Sequence, residues 1–381
     1  MKLSERALEY PRSGIRAMGV MAEKYQDVIS LGIGEPGFTT PANIIEAAAD
    51  ALRQGYTKYT PNNGLPELRA AIAAKLERDN GLAATADNVI VTTGAGEAIM
   101  LALLALVNPG DEVILPNPAW PNYQGQILLA GAERVSLPTY DTDRFHVKAA
   151  HLEKVITERS KVLIINTPSN PTGAVLTREE LEEIAEVVKK NDLYVIADEP
   201  YEKIIYDGRQ HVSIGSLPQM AERVITVNSF SKTYAMTGWR IGYAHGSAEV
   251  IARMTMMEQS LSACVNAAAQ KGAVEALLGP QDAVTEMVAE YGRRRDYIVA
   301  ELNKLTGVEC WPVEGAFYAF ANVSALGSSE EVAKKWLHEA QVVTVPGTAF
   351  GSCGEGYVRI GFCASFEDLK EAMSRLKRVL G

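Results

Sequence analysis

Between residues 86 and 245 the chain alternates short β-branched apolar runs with segments of helical period. The runs are NVIVTT (88–93), DEVILP (111–116), ERVSLP (133–138), KVLIIN (161–166), LYVIADE (193–199), RVITVNS (223–229) and RIGYA (240–244). Most are apolar on both faces, as strands covered by helices on both sides require. Helical patterns lie between most of them, for example over 96–107 and 178–191, and another over 249–278 follows the last. The pattern predicts an α/β fold with a mostly parallel seven-stranded sheet between helices.

The flanks read differently. Residues 1–30 form an amphipathic arm and helix, and LGIGEPGF (31–38) is a loop broken by Gly and Pro. A helix over 41–53 is expected to start at Thr40 and Pro41, and the loop at 57–69 feeds another helix at Pro66. After residue 280 come a long helix (284–305), VECWPVEGAFYAFANV, a helix over 329–338, a strand near 342–346, YVRIGFCAS and a final helix. These describe a smaller α+β domain formed by both chain ends. The expected division is 1–45 (arm and part of the small domain), 46–279 (large domain) and 280–381 (small domain).

Composition narrows the function. A chain of 381 residues with 47% hydrophobic and 22% charged residues suits a soluble two-domain protein. The formal charge of -10 argues against nucleic acid or an anionic membrane as a main partner. The longest apolar stretch, 98–107, is far short of the ~20 residues of a membrane span and reads as a buried helix. The N-terminus is charged throughout, unlike a signal peptide. Cys264, Cys310, Cys353 and Cys363 show no CxxC pair, so reduced thiols in a cytoplasmic setting are expected. His146, His151, His211, His245 and His338 lack ligand spacing; they read as surface or packing residues, with no metal expected. RRR (293–295) reads as a helix-surface or interface patch.

The unusual residues gather at the predicted strand ends, where open parallel sheets bind ligands. TTGAGEAI (92–99) is a small-residue turn opening a helix, able to bring backbone N–H groups to an anion, but it matches neither GxGxxG nor a P-loop. In SFSKTYAMTGWR (229–240), Ser229, Ser231 and Arg240 could hold a phosphate. Lys232, desolvated and near cations, could attack a carbonyl to form a Schiff base. Asp198, in DEPY at a buried strand end, needs a partner that a protonated ring nitrogen would supply. Asn170, in NTPSNPTGAVL, could donate to a ring oxyanion.

Taken together these motifs resemble the fold type I pyridoxal 5'-phosphate-dependent aminotransferases of class I/II, the family that includes many bacterial aspartate aminotransferases. The likeness runs from GIGEP near residue 34 to YVRIGF near 360. It implies that Lys232 is the Schiff-base lysine and proton shuttle, and that Asp198 pairs with the pyridine nitrogen. Tyr201 and Asn170 would bond the phenolic oxygen. Gly94, Ala95 and Gly96, with Ser229, Ser231 and Arg240, would hold the phosphate. Trp120, in NPAWPNY, would stack on the ring. Arg359 would clamp the substrate α-carboxylate, with Gly34, Asn170 and Trp120 also at the substrate. Tyr59 would cross to the neighbouring subunit's phosphate, implying a homodimer.

The resemblance implies amino transfer between an L-amino acid and a 2-oxo acid by ping-pong kinetics. Aspartate leads on family frequency, ahead of alanine, aromatic and branched-chain amino acids. A dicarboxylic substrate needs a further cation. Arg16, Lys24 and other residues of 12–20 are candidates, whereas Ile15, Ile33 and Tyr123 would equally suit aromatic or aliphatic side chains. A β-lyase, racemase or decarboxylase on the same scaffold is the enzymatic alternative. A cofactor-sensing regulator is the non-enzymatic one, disfavoured by the charge and by the lack of room for a helix-turn-helix before residue 30.

Overall fold

The computed structural model describes residues 3–11 and 13–380. Its first strand, β1 (Ile29–Ser30), precedes the large sheet. That sheet contains β2 (Val89–Thr92), β3 (Glu112–Asn117), β4 (Glu133–Pro138), β5 (Ser160–Asn166), β6 (Tyr194–Asp198), β7 (Val224–Ser229) and β8 (Gly242–His245), in the order β2-β8-β7-β6-β5-β3-β4. In this sheet β8 runs opposite to the other six strands. All seven predicted runs form strands, and the expected mostly parallel sheet is present.

Both faces of the sheet are buried because successive residues point to opposite sides. Val162 and Ile164 pack with Ile196 and Ile225 beneath the helix Ala95–Leu106, while Leu163 and Ile165 pack with Val195 against Arg178–Lys190. The apolar stretch read as a buried helix is one: Ile99, Leu101 and Leu103 are fully buried, each stabilising by about 2 kcal/mol.

The remaining strands join the chain ends. β9 (Tyr318–Asn322), β10 (Val342–Val343), β11 (Val345–Pro346) and β12 (Tyr357–Gly361) follow the long helix Asp282–Leu302. β12 pairs antiparallel with β9 and β11, and β1 pairs parallel with β10, Ile29 opposite Val342. Met18, Ile29 and Leu31 share one core with Trp336, Phe362 and Leu376. The N-terminal segment is thereby laid along β12, where Gly361 N–H donates to Leu31 O at 2.6 Å.

Several local expectations need correction. The helix expected over 249–278 is two, Ala248–Leu261 and Ala267–Leu278, divided at Ala263, whose φ is 63°. Asn266 caps the second by accepting from Ala269 N–H at 2.9 Å. The one sequence trace of the break was Asn266, a capping residue that the reading passed over. Thr40 does not cap the helix Ala42–Arg53; its hydroxyl donates to Ala235 O at 2.7 Å. Arg294 and Arg295 are not a surface patch: both are buried, Arg294 donating to the carbonyls of Cys363 and Ala364, and Arg295 gripping Asp207.

Candidate active site

The parallel register brings Asn166, Asp198 and Ser229 to one edge of the sheet, because Asn166 lies opposite Asp198 and β7 ends beside β6. Gly242, just after Arg240, faces both Thr92 and Ser229. A cavity of about 370 Å³ opens there, and β12 and the segment 33–35 contribute to its wall.

Lys232 stands in a short helix, Phe230–Thr233, directly after β7. Its amine donates to Gly34 O at 2.7 Å and lies 5.8 Å from the Phe317 ring centroid. Burial pushes its pKa down to about 8; Arg359 and Arg240 act in the same direction, while Cys363 and Glu35 oppose. An amine so placed is half neutral near pH 8 and, in that form, can act as nucleophile or base.

Asp198 is 4% exposed. Its Oδ2 accepts from the Tyr123 hydroxyl, and its Oδ1 is buried without a partner. Burial raises its pKa to about 7; the Tyr123 hydrogen bond opposes that and the Glu199 charge adds to it. A bare oxygen of this kind is costly unless a ligand donor reaches it. A protonated ring nitrogen fits that need, so the residues present suit a pyridoxal-type ring.

An anion cradle lies alongside. Gly94, at φ 79°, precedes the helix Ala95–Leu106 without any side-chain cap, leaving first-turn N–H groups of Ala95 and Gly96 at the cavity wall. The φ of 79° at Gly94 is a backbone conformation that favours glycine, and a Cβ there would also fall 2.7 Å from Arg240 Nη2. Ser229 Oγ donates to Ser231 Oγ at 2.8 Å, and both border the cavity.

Across the cavity, Arg359 is 1% exposed. It donates to Asn170 Oδ1 at 2.8 Å and Gly32 O at 2.6 Å, and its Nε is buried without a partner. Its guanidinium lies 4.4 Å from the Tyr318 ring centroid and 4.7 Å from that of Phe350. Tyr318 meets Tyr201, hydroxyl to hydroxyl, at 3.0 Å. A side chain at Gly34 would collide with the Tyr318 hydroxyl. Trp120 lies edge-on to Tyr123, ring centroids 5.2 Å apart.

Nearly every residue singled out from sequence borders this one cavity; Gly94 stands beside its Ala95–Gly96 wall. Tyr59 does not: it is 90% exposed and outside the cavity of its own chain. Ile15, Ile33 and Tyr123 line the cavity, whereas Arg16 and Lys24 do not; Arg12, in the same stretch as Arg16, lies outside the described residues. Sequence reading missed Tyr123 as the partner of Asp198, and Tyr318 as the link from Tyr201 to Arg359. Their only signal was an aromatic residue in each of the motifs NPAWPNY and GAFYAF.

Two histidines read as surface or packing residues, buried His146 and half-buried His211, are charge partners instead. His146 lies between Glu180 and Glu314, 2.8 and 2.9 Å away. His211 lies 2.8 Å from Glu199, with Glu202 close enough that one ligand atom from each of the three falls within 4.8 Å of the others. The sequence separations of 34, 168 and 12 residues hid these pairs. Among the described residues no helix is long and apolar enough to cross a membrane.

Comparison with known proteins places the chain in a family. Residues 26–376 match the family model for aminotransferase class I and II. An aspartate aminotransferase of Pyrococcus abyssi is 44% identical, covering 100% of this chain and 98% of its own. The aromatic-amino-acid aminotransferase 2 of Thermococcus litoralis is 42% identical with the same coverage. The solved structure of aspartate aminotransferase from Thermus thermophilus with maleate superposes with a TM-score of 0.94 at 38% identity, covering 100% of both chains.

Proposed function

The chain belongs to the class I and II aminotransferases and is a pyridoxal-phosphate-dependent transferase acting on amino acids and 2-oxo acids; on that premise we propose that aspartate is its amino donor and that the residues around Lys232 perform the transfer. One observation carries the site assignment. A desolvated amine shares a cavity with a buried, unpartnered carboxylate oxygen and an uncapped helix N-terminus.

Pyridoxal phosphate, when bound, supplies an electron sink for bond breaking at the substrate Cα. Asp198 Oδ1 holds the proton of a ring nitrogen, with Tyr123 fixing the other carboxylate oxygen. The N–H groups of Ala95 and Gly96, with Ser229, Ser231 and Arg240, hold phosphate. Trp120 and Tyr201 bound the ring, and Asn170 and Tyr201 offer hydrogen bonds to its oxygen. Arg359 receives the α-carboxylate, with Asn170 and the backbone at Gly34 beside it, so that the Cα proton comes within reach of Lys232 Nζ. Lys232, freed from the Gly34 carbonyl, would take that proton and pass it to the cofactor within the same half-reaction, and would carry one back to the substrate carbon in the reverse half. Two successive half-reactions at one site give ping-pong kinetics.

Aspartate is supported by the Pyrococcus and Thermus relatives, the latter described with maleate, a dicarboxylate. A second reading, an aromatic or aliphatic donor, is favoured by Ile15, Ile33 and Trp120 on the cavity wall and by the Thermococcus relative. A functional homodimer completes the proposal, supported by Tyr59 standing exposed in the loop expected to serve a neighbouring site. So do a cytoplasmic setting, supported by four free cysteines, and the division at 45 and 279, supported by the packing of residues 18–31 with 287–376 in a core that Tyr201, Ile204, Tyr206 and Ala235 of the large domain also enter.

The test is a visible spectrum of the loaded protein, followed by a panel of amino donors and oxo acids. Transamination leaves one 2-oxo acid per amino group moved; lyase or racemase products instead would refute the proposal. Borohydride followed by peptide mapping should place the label on Lys232, and Lys232→Ala should lose at least about 10²-fold in rate. Sedimentation of the loaded protein decides the dimer.

A further inference from the structure

The segment 198–202 (DEPYE) presents alternate residues to two environments. Asp198 and Tyr201 border the cavity, while Glu199 and Glu202 enter a buried cluster of their own. Glu199 Oε2 accepts from Ser213 Oγ at 2.6 Å and lies 2.8 Å from His211 Nε2. Glu202 accepts from Asn80 Nδ2 at 2.7 Å and from the Lys75 amine, which also donates to Asn80 Oδ1 at 2.7 Å. Lys75 and Asn80 come from the helix Pro66–Asn80, and His211 and Ser213 precede β7. The hydroxyls of Tyr234 and Tyr243 also face the cluster, as does the carboxylate of Asp79, which Lys203 and Arg78 hold at 2.9 and 2.8 Å.

This cluster is expensive. Glu199 and Ser213 are each 1% exposed and Lys75 is 3% exposed. Buried ion groups of this kind seldom stabilise a fold better than apolar packing would. Within the hydrogen-bonded cluster itself two carboxylates, Glu199 and Glu202, meet two bases, Lys75 and His211, and their sum is zero only with the imidazole protonated. Burial opposes that proton, but Glu199 and Glu202 outweigh it and hold His211 above its ordinary range. The neutral sum matters because Glu199 adjoins Asp198 and its charge strengthens the hold of Asp198 on a proton.

We propose that Glu199 and His211 are positioning residues acting through Asp198: Glu199 sets a negative potential behind the cofactor-facing carboxylate, and His211, with Lys75, limits it. The inference rests on the reading that Asp198 faces the cofactor ring. It names a part of the protein outside the cavity that sets proton affinity inside it.

The experiment is a pH titration of the visible absorbance of the cofactor-loaded protein, whose midpoint reports the local potential. Glu199→Gln removes a negative charge and should lower the midpoint by roughly half a pH unit; His211→Gln removes a positive charge and should raise it by about as much. Glu202→Gln and Lys75→Gln are second members of each pair and stand in where a first variant does not fold. Loosened packing would move all variants in one direction, so opposite shifts support the proposal. Midpoints that coincide with the parent, or all move the same way, overturn it. A parent protein with no visible band would instead sink the reading of the cavity itself.

Discussion

The phenol of Tyr123 donates to Asp198 Oδ2, while Oδ1 of the same carboxylate is buried with no partner at all. One oxygen is fixed by the protein and the other is left bare. Tyr123→Phe would leave both oxygens bare, at a cost of about 1–3 kcal/mol. Cofactor affinity, measured by titrating apo-protein, should therefore fall roughly 10- to 100-fold while the fold persists, because the ring itself still packs. Unchanged affinity would remove Tyr123 from the site.

Arg359 has two of its donors committed to Asn170 and Gly32 and a third, Nε, without a partner. Its planar fork lies against Tyr318 and Phe350, a place a lysine cannot fill in the same way. Arg359→Lys should raise KM for every amino donor and oxo acid by about 10²-fold, on the order of the 1.5–3 kcal/mol of a charge-assisted bond. A change confined to donors of one side-chain class would show that Arg359 contacts the side chain instead.

The lowered proton affinity of Lys232 sets a pH dependence for cofactor uptake. Below about pH 8 the amine is increasingly protonated and cannot attack an aldehyde. Stopped-flow absorbance on mixing apo-protein with pyridoxal phosphate should give a rate that rises with pH and levels off above about 8. A midpoint near the ordinary lysine value would contradict the desolvated setting.

Stability should carry a separate signature from His146. Glu180 and Glu314 overcome its burial and raise its pKa to about 9, from 6.5. Protonated His146 thus adds stability that is complete below about pH 6.5 and is lost as pH rises through 9. The contribution is on the order of 3 kcal/mol. In the parent, the melting temperature should decline across that window, and in His146→Asn the decline should flatten. Parallel curves would show that the pair contributes nothing.

Much of the site was legible because its chemistry sits in local motifs. Lys232 with Ser229, Ser231 and Arg240 occupies 12 consecutive positions, and Asp198 and Tyr201 share one tetrapeptide. Such strings encode backbone turns and the groups they expose. The break between the helices Ala248–Leu261 and Ala267–Leu278 was legible only in the capping residue Asn266, which the reading passed over. The burial of His146 and Arg295 was not legible, since their partners lie 168 and 88 residues away.

The sequence alone therefore determined the seven strands, their two-sided burial, and the identity of the groups at the strand ends, because side-chain period and turn chemistry act over a few residues. Tertiary structure alone decided which groups are partnered and which are left bare. Tyr123 reaches Asp198 across 75 positions, Arg359 reaches Asn170 across 189, and the cluster at Glu199 forms only when three distant segments meet. Desolvation and hydrogen bonding depend on everything packed around an atom, and the linear order of residues does not contain that.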